Sequence, residues 1–187
     1  MRKTLQLMSA LALFFCALNL SAQNAPKVTT KNVKGAAITI IDSQYHFPYD
    51  ISDNKQHVAI QAFGESQSFY WSESTGLIEI VGTVFAVSDD GIVAGYYPNN
   101  EGVSVAGLWY PDMQQWQFLG MNPDYPEFFV DNPDYNGAWA MSNDGFHVGV
   151  MQFAADWSTT TYIWSPNEGY TQLPNGSNTQ TRPNGMS

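Results

Sequence analysis

The stretch AVSDDGIVAG, residues Ala86–Gly95, decides the fold because its pattern occurs three times in the chain. The matching nine-residue segments read SDNKQHVAI, SDDGIVAGY and SNDGFHVGV, and they begin at Ser52, Ser88 and Ser142. An apolar residue precedes each serine, and a tryptophan follows it after 19, 21 or 22 residues, at Trp71, Trp109 and Trp164. Self-similarity at a spacing of a few tens of residues indicates a repeat protein.

Each repeat is predicted to contain four short β-strands. The first strand ends at the serine, the DDG or NDG tripeptide forms a turn, the third strand ends near the tryptophan, and a polar turn leads into the fourth. Gly91 and Gly145 occupy the position at which a hairpin turn with a bulge needs a positive φ. Asp90 and Asp144 precede them and can bond to their own backbone. Repeat one has Lys55 in the glycine position, so we expect a looser turn there or a left-handed Asn54.

A repeat of about 36–45 residues with four strands predicts an all-β chain, a β-propeller-like array of blades. Three blades are expected at about 45–80, 81–120 and 137–175, with an insertion at 121–136. Residues 183–187 are expected to begin a fourth, because Met186-Ser187 matches Met141-Ser142. Three blades rarely close a ring, so we expect the chain to be a fragment of a longer propeller. A partial ring closed by oligomerisation and a β-trefoil are the alternatives.

The repeated pattern also resembles a known family. The consensus A-[VM]-S-[DN]-D-G-x-x-[VA]-G, then an aromatic-x-Trp and a Leu-Gly or Leu-Pro, is similar to the extracellular HAF repeats over about Asp50–Pro174. The His-Ala-Phe tripeptide itself is not kept, and its positions hold Gln67–Phe69, Val105–Gly107 and Thr160–Tyr162. The resemblance implies an exported bacterial repeat protein with a propeller fold, and it implies no common activity.

The N-terminus has the features of a secretory signal. Arg2 and Lys3 precede an apolar core, and small residues lead to a predicted cleavage after Ala22, so residues 1–22 are expected to be a signal peptide. Residues 23–35 are predicted to be a linker and residues 36–187 the repeat domain. The only cysteine, Cys16, would be removed with the signal, unless it is the lipidation site of a lipoprotein. We therefore expect a periplasmic, cell-surface or secreted protein without a transmembrane helix in its mature part.

The charge distribution excludes two classes of partner. The formal net charge of −10 becomes −12 when Arg2 and Lys3 are removed, and no Lys or Arg occurs between Gln56 and Thr181, a stretch with 14 acidic residues. Binding to phosphate backbones or to anionic membranes needs clustered cations. The chain is thus not expected to bind nucleic acid.

Several reactive-looking residues are more simply explained by the fold. The SDDG tetrapeptide lacks the spacing of a sialidase Asp-box and the closing glutamate of an EF-hand, although calcium held by turns from several blades stays open. His57 and His147 align with Val93 and have no third ligand of suitable spacing, and His46 stands alone. The three repeated serines lie in no nucleophile elbow. No catalytic or metal residue is therefore assigned.

The insertion is the least repetitive segment and is the candidate ligand site. Its sequence alternates acidic and aromatic side chains. Loops carried on a rigid scaffold often hold function, and aromatic faces beside carboxylates suit sugar or calcium. The candidate residues are Asp124, Tyr125, Glu127, Asp131, Asp134 and Tyr135. An inter-blade connection with buried aromatics is the alternative.

Three functions follow as expectations. The first is an exported, non-enzymatic binding or scaffold module at the cell surface or in the envelope, with a glycan or a surface protein as partner. The second is a glycan-active enzyme or glycan-binding protein with its site in residues 121–139 or in missing blades. The third is a calcium-stabilised adhesin.

Overall fold

The computed structural model describes residues 27–33, 36–42, 46–62, 67–128, 134–174, 183, 185 and 186. These residues contain 14 β-strands and no helix, so the predicted all-β class is confirmed for them. No helix among them is long and apolar enough to span a membrane. The predicted signal peptide, residues 1–22, lies outside the described residues.

The first two strands form a hairpin of their own. Strand β1 (Lys27–Val33) pairs antiparallel with β2 (Ala36–Asp42), and Lys27 lies opposite Asp42. Part of the expected linker, residues 27–33, thus lies in a strand, which its Val and Thr side chains favour. The chain divides into two compact units, Met1–His46 and Phe47–Ser187.

Three four-stranded antiparallel sheets make up the rest of the described chain, and each follows chain order. Sheet 1 contains β3 (His46–Ile51), β4 (His57–Ala62), β5 (Gln67–Ser72) and β6 (Gly76–Val81). Sheet 2 contains β7 (Thr83–Val87), β8 (Val93–Pro98), β9 (Ser104–Tyr110) and β10 (Gln115–Phe118). Sheet 3 contains β11 (Asn136–Met141), β12 (Val148–Phe153), β13 (Thr159–Ser165) and β14 (Gly169–Gln172). The predicted three repeats of four strands are confirmed.

The strand register corrects the alignment of the repeats by one residue. Each repeated tryptophan pairs with a valine of the second strand, in the pairs Val58–Trp71, Val93–Trp109 and Val148–Trp164. The turn of repeat two is thus one residue shorter than the other two. The gapless alignment placed His57 and His147 opposite Val93, but in the structure they are equivalent to Ile92. The main-chain carbonyl of each of these three residues accepts a hydrogen bond from the amide of the repeated serine.

The sheets pack on one another in chain order through two buried clusters. The cluster between sheets 1 and 2 contains Ala59, Tyr70, Ile80, Val84, Val87, Val93 and Trp109. The cluster between sheets 2 and 3 contains Ala86, Ala94, Ala106, Leu108, Leu119, Ala138, Met141, Val148, Val150 and Tyr162. Five alanines of the two clusters lie on the first three strands of a sheet, where small side chains let neighbouring sheets approach closely. Burial of these apolar side chains is the main stabilising contribution.

Candidate functional site

The three repeated turns share one set of hydrogen bonds. In each, the serine carbonyl accepts a bond from the amide three residues later, over 2.8–3.0 Å. The serine hydroxyl oxygen also accepts a bond of 3.0–3.1 Å from an amide at the far side of the turn, that of His57, Ile92 or His147. Ser52, Ser88 and Ser142 are buried, and these bonds engage them in forming the turn.

The residue in the glycine position has a positive φ in all three turns. The values are 80° for Gly91, 71° for Gly145 and 62° for Lys55. The expectation that Asn54 would become left-handed in repeat one is wrong, because Lys55 itself adopts that conformation. Asn54 instead accepts bonds from the Ser52 hydroxyl and the Gln56 amide.

The three turns are joined to one another side by side. The Asn54 amide donates to Asp89 Oδ1 over 2.8 Å, and Asn54 Nδ2 donates to the Asp89 carbonyl over 2.7 Å. The Asp89 amide then donates to the Asn143 carbonyl over 2.8 Å, and Asn143 Nδ2 donates to the Asp53 carboxylate. Repeat one contacts repeat two, two contacts three, and three contacts one. These bonds bring the ends of the three first strands together, and the line between these strands is called the axis here.

An aromatic side chain faces this axis from each first strand. Tyr49, Phe85 and Trp139 each lie three positions before the repeated serine, on β3, β7 and β11. The Phe85 and Trp139 rings stack with centroids 4.0 Å apart, and Tyr49 meets the Phe85 ring edge-on at 5.3 Å. Sequence reasoning missed this column because three different residues occupy it, although their common aromatic character was visible.

A cavity of about 220 Å³ lies between the three first strands and Pro183, Gly185 and Met186. We call it the axial cavity. Its polar lining consists of Asp50, Asp53 and Asn143, and the three aromatic residues line it as well. Asp50 Oδ2 accepts a bond of 2.8 Å from the Val87 amide, which fixes that carboxylate against sheet 2. Pro183, Gly185 and Met186, in the predicted partial fourth repeat, complete the wall.

The acid before the glycine of turn three is occupied by local bonds. Asp144 accepts from the Ser142 hydroxyl and the Phe146 amide, and these bonds lower the pKa of its carboxyl below the usual 3.8. Asp90 is exposed. No group of three His, Cys, Asp or Glu side chains that could hold a metal ion occurs in the described part of the chain.

The predicted site in the insertion is only partly accessible. Tyr135 is completely buried, and its hydroxyl donates to the Tyr125 carbonyl, so it packs between elements and cannot offer a face to a sugar. Asp124 is exposed but accepts a bond of 3.0 Å from the Tyr162 hydroxyl; burial and this bond raise the pKa of Tyr162. Glu127 is exposed, Tyr125 and Asp134 are half-buried, and Asp131 lies outside the described residues.

The repeated tryptophans and His57 belong to the packing. Trp109 is buried against Tyr70 of sheet 1, at 5.5 Å between ring centroids, while Trp71 and Trp164 are half-buried. His57 Nδ1 lies 2.6 Å from the Tyr70 hydroxyl, whose pKa is raised by burial. His147 is exposed on sheet 3, and nothing is assigned to the side chain of His46.

Trp157, at the tip of the β12–β13 hairpin, has an unusual backbone conformation. The β8–β9 loop has Gly102 at φ 78°, and the β12–β13 loop has Trp157 at φ 65° in the equivalent position. In both loops this residue's amide bonds back over 3.0 Å to the carbonyl three residues earlier. A bulky residue in the left-handed region is strained, yet Trp157 is 47% exposed.

Comparison with protein-family models, with curated proteins and with solved structures finds no match for this chain. The likeness to HAF repeats thus stays a prediction from the sequence. Any function has to be argued from the geometry of the axial cavity and of the surface loops.

Proposed function

We propose that this protein is an exported binding module of the HAF-repeat type, in which the three sheets are consecutive blades of a β-propeller. The axial cavity is its ligand site. The observation that carries the proposal is the aromatic column, because each repeat contributes one aromatic side chain to the same cavity.

The packing supports the propeller over a β-trefoil. Each sheet is a four-stranded meander whose first strand lies nearest the axis, as in a propeller blade. Neighbouring sheets pack through the alanine-rich clusters, and Pro183 packs on Gly149 of β12. In a trefoil the repeats would instead contribute strands to one shared barrel.

The chemistry of the cavity supports binding. Ligand sites are concave, with apolar and aromatic walls and a few polar groups that fix orientation. Here Tyr49, Phe85 and Trp139 contribute part of the wall, and Asp50, Asp53 and Asn143 supply polar side chains. Asp50 is bonded to the Val87 amide and Asp53 to Asn143, so these groups are held in place before any ligand arrives, which reduces the entropic cost of binding.

A thermal-shift screen tests this proposal. The purified chain is challenged with small amines, amino acids, neutral sugars and acidic sugars, and hits are titrated by calorimetry against the wild type, Phe85→Leu and the control Trp157→Leu. Phe85→Leu should weaken a ligand of the axial cavity, whereas the control, a tryptophan at a distant hairpin tip, should not. A hit that binds both variants as tightly as the wild type would place the site elsewhere.

A second candidate function is glycan binding at the end of the molecule that holds the insertion. Trp157 favours it, because this strained and exposed tryptophan lies beside Phe153, with ring centroids 6.3 Å apart. Phe153 in turn contacts the insertion, since its amide donates to the Tyr135 carbonyl. Phe128 packs on the Tyr135 ring there. Affinity electrophoresis in gels containing soluble polysaccharides tests it. Retardation that Trp157→Ala abolishes and Phe85→Leu leaves intact would establish this surface; equal retardation of all variants would dismiss it.

A further inference from the structure

We infer that the axial cavity takes a small organic cation with an ammonium head group. This inference rests on the proposal that the cavity is a ligand site, and it adds the chemical class of the ligand. Three features of the cavity carry it: the charge of its wall, its aromatic rings and its size.

The described wall of the cavity carries two acidic side chains. Asp50 and Asp53 line it, and none of its described lining residues is Lys, Arg or His. Lys55, two residues after Asp53, is exposed, and no Lys or Arg occurs from Gln56 to Thr181. Fields from like charges add in a cleft with low-dielectric walls, so an anionic ligand is repelled and a cation is attracted.

The aromatic column suits an organic cation better than a metal ion. Ring faces attract ammonium groups through their quadrupole, and tryptophan does so most strongly. The facing sides of the Phe85 and Trp139 rings cover each other, so the half-buried Trp139 and Tyr49 are the rings that can offer a face to a cation. The described residues hold no set of three metal-ligating side chains. Carboxylates beside aromatic rings are the combination that recognises alkylammonium groups.

The volume limits the ligand to a small molecule. A water in the liquid occupies about 30 Å³, so a cavity of about 220 Å³ has room for roughly seven to ten non-hydrogen atoms. Typical drug-sized pockets exceed about 300 Å³. Tetramethylammonium and choline lie within this limit.

A comparison of choline with its neutral isostere tests the inference. In 3,3-dimethylbutan-1-ol a carbon replaces the nitrogen, so shape and apolar area are kept while the charge is lost. Calorimetric titration at constant ionic strength should show choline binding about tenfold or more tightly than the isostere. Asp50→Asn should weaken choline by a similar factor and leave the isostere unchanged, because an amide oxygen can still accept the Val87 amide bond and the fold is kept. The control Glu101→Gln removes an exposed carboxylate that does not line the cavity, and it should change neither affinity.

The outcomes separate the inference from the proposed function. Equal affinity for choline and its isostere, both lost in Phe85→Leu, would overturn the cation but keep the axial cavity as a ligand site. If choline does not bind but another ligand does, and Phe85→Leu weakens that ligand, the cation is again overturned and the axial cavity is kept as a ligand site. If no compound in either experiment is sensitive to cavity substitutions, both proposals fail. Choline binding that Asp50→Asn reduces supports both.

Discussion

Replacing Gly91 by alanine should destabilise the repeat unit far more than a turn glycine ordinarily would. Gly91 has φ 80°, and a Cβ at this position would lie 2.7 Å from the Tyr70 hydroxyl and 2.9 Å from His57 Nδ1. The turn of sheet 2 thus rests directly on a hydrogen-bonded pair of sheet 1. The substitution adds both backbone strain and an overlap between two sheets.

Gly102 provides the matched control. Its φ is 78°, almost the same, but a Cβ there would meet nothing within 4 Å. Gly102→Ala therefore reports the left-handed strain alone, about 1 kcal/mol. Gly91→Ala adds overpacking, typically about 1–3 kcal/mol, for a total of about 2–4 kcal/mol.

Urea unfolding followed by tryptophan fluorescence measures both free energies of unfolding. A double variant sharpens the result, because Tyr70→Phe removes the atom nearest to the new Cβ and should recover part of the Gly91→Ala loss. Equal losses for Gly91→Ala and Gly102→Ala, within about 0.5 kcal/mol, would refute the close packing of the turn on sheet 1. Additive effects of Gly91→Ala and Tyr70→Phe would refute it as well.

Three further predictions concern the loops and turns. Trp157→Gly should raise the unfolding free energy by about 0.5–1 kcal/mol, because glycine relieves the φ of 65° as it does in repeat two; a loss in urea unfolding would contradict this. Asp144 stabilises the fold at pH values above the ordinary carboxyl pKa, because its pKa is lowered, and this contribution is lost as the pH falls below about 4. Asp144→Asn should flatten the fall of Tm between about pH 5 and 3 and leave the neutral-pH value nearly unchanged, since Asn54 makes the same bonds with an amide; an unchanged acid slope would disprove it. Because the turns are joined by direct hydrogen bonds, a chelator should leave the Tm unchanged, and a drop that calcium reverses would favour a calcium-stabilised protein instead.

The repeat architecture was predictable because turn chemistry is local. A serine, an Asx residue and a residue with positive φ specify each hairpin from a few neighbouring positions, and the valine–tryptophan pairs follow from strand length. The turn of repeat two is one residue shorter than the others, and this shows only in the pairing of the second and third strands. The sequence hid it because the nine-residue segment that begins at Ser88 aligns with the other two without a gap. Strand β1 was not expected from the sequence, because residues 27–33 are mostly polar and carry lysines.

The sites were harder to predict than the fold because they depend on contacts between repeats. Tyr135 and Asp124 looked like a loop surface in the sequence, but Asp124 accepts a bond from Tyr162, 38 residues away, and the Tyr135 amide donates to the Ser104 carbonyl of sheet 2. The axial cavity arises only when three strands meet. Its one local signal is an aromatic residue three positions before each serine, which a search for chemical class rather than identity would have found.

The convergence of the three repeats on one axis can be measured directly by cross-linking. In a Cys16→Ser background the chain has no other cysteine, so Asp53→Cys with Asn143→Cys introduces one pair, 90 residues apart, at side chains that contact each other across repeats one and three. The control pair, Asn100→Cys with Asn143→Cys, joins opposite ends of neighbouring sheets, about 20 Å apart along the strands. A short thiol-specific bifunctional reagent should cross-link the first pair rapidly in the native protein and only slowly in urea, and it should leave the control pair unlinked. Equal rates for the two pairs would contradict the closed ring of turns and, with it, the axial cavity.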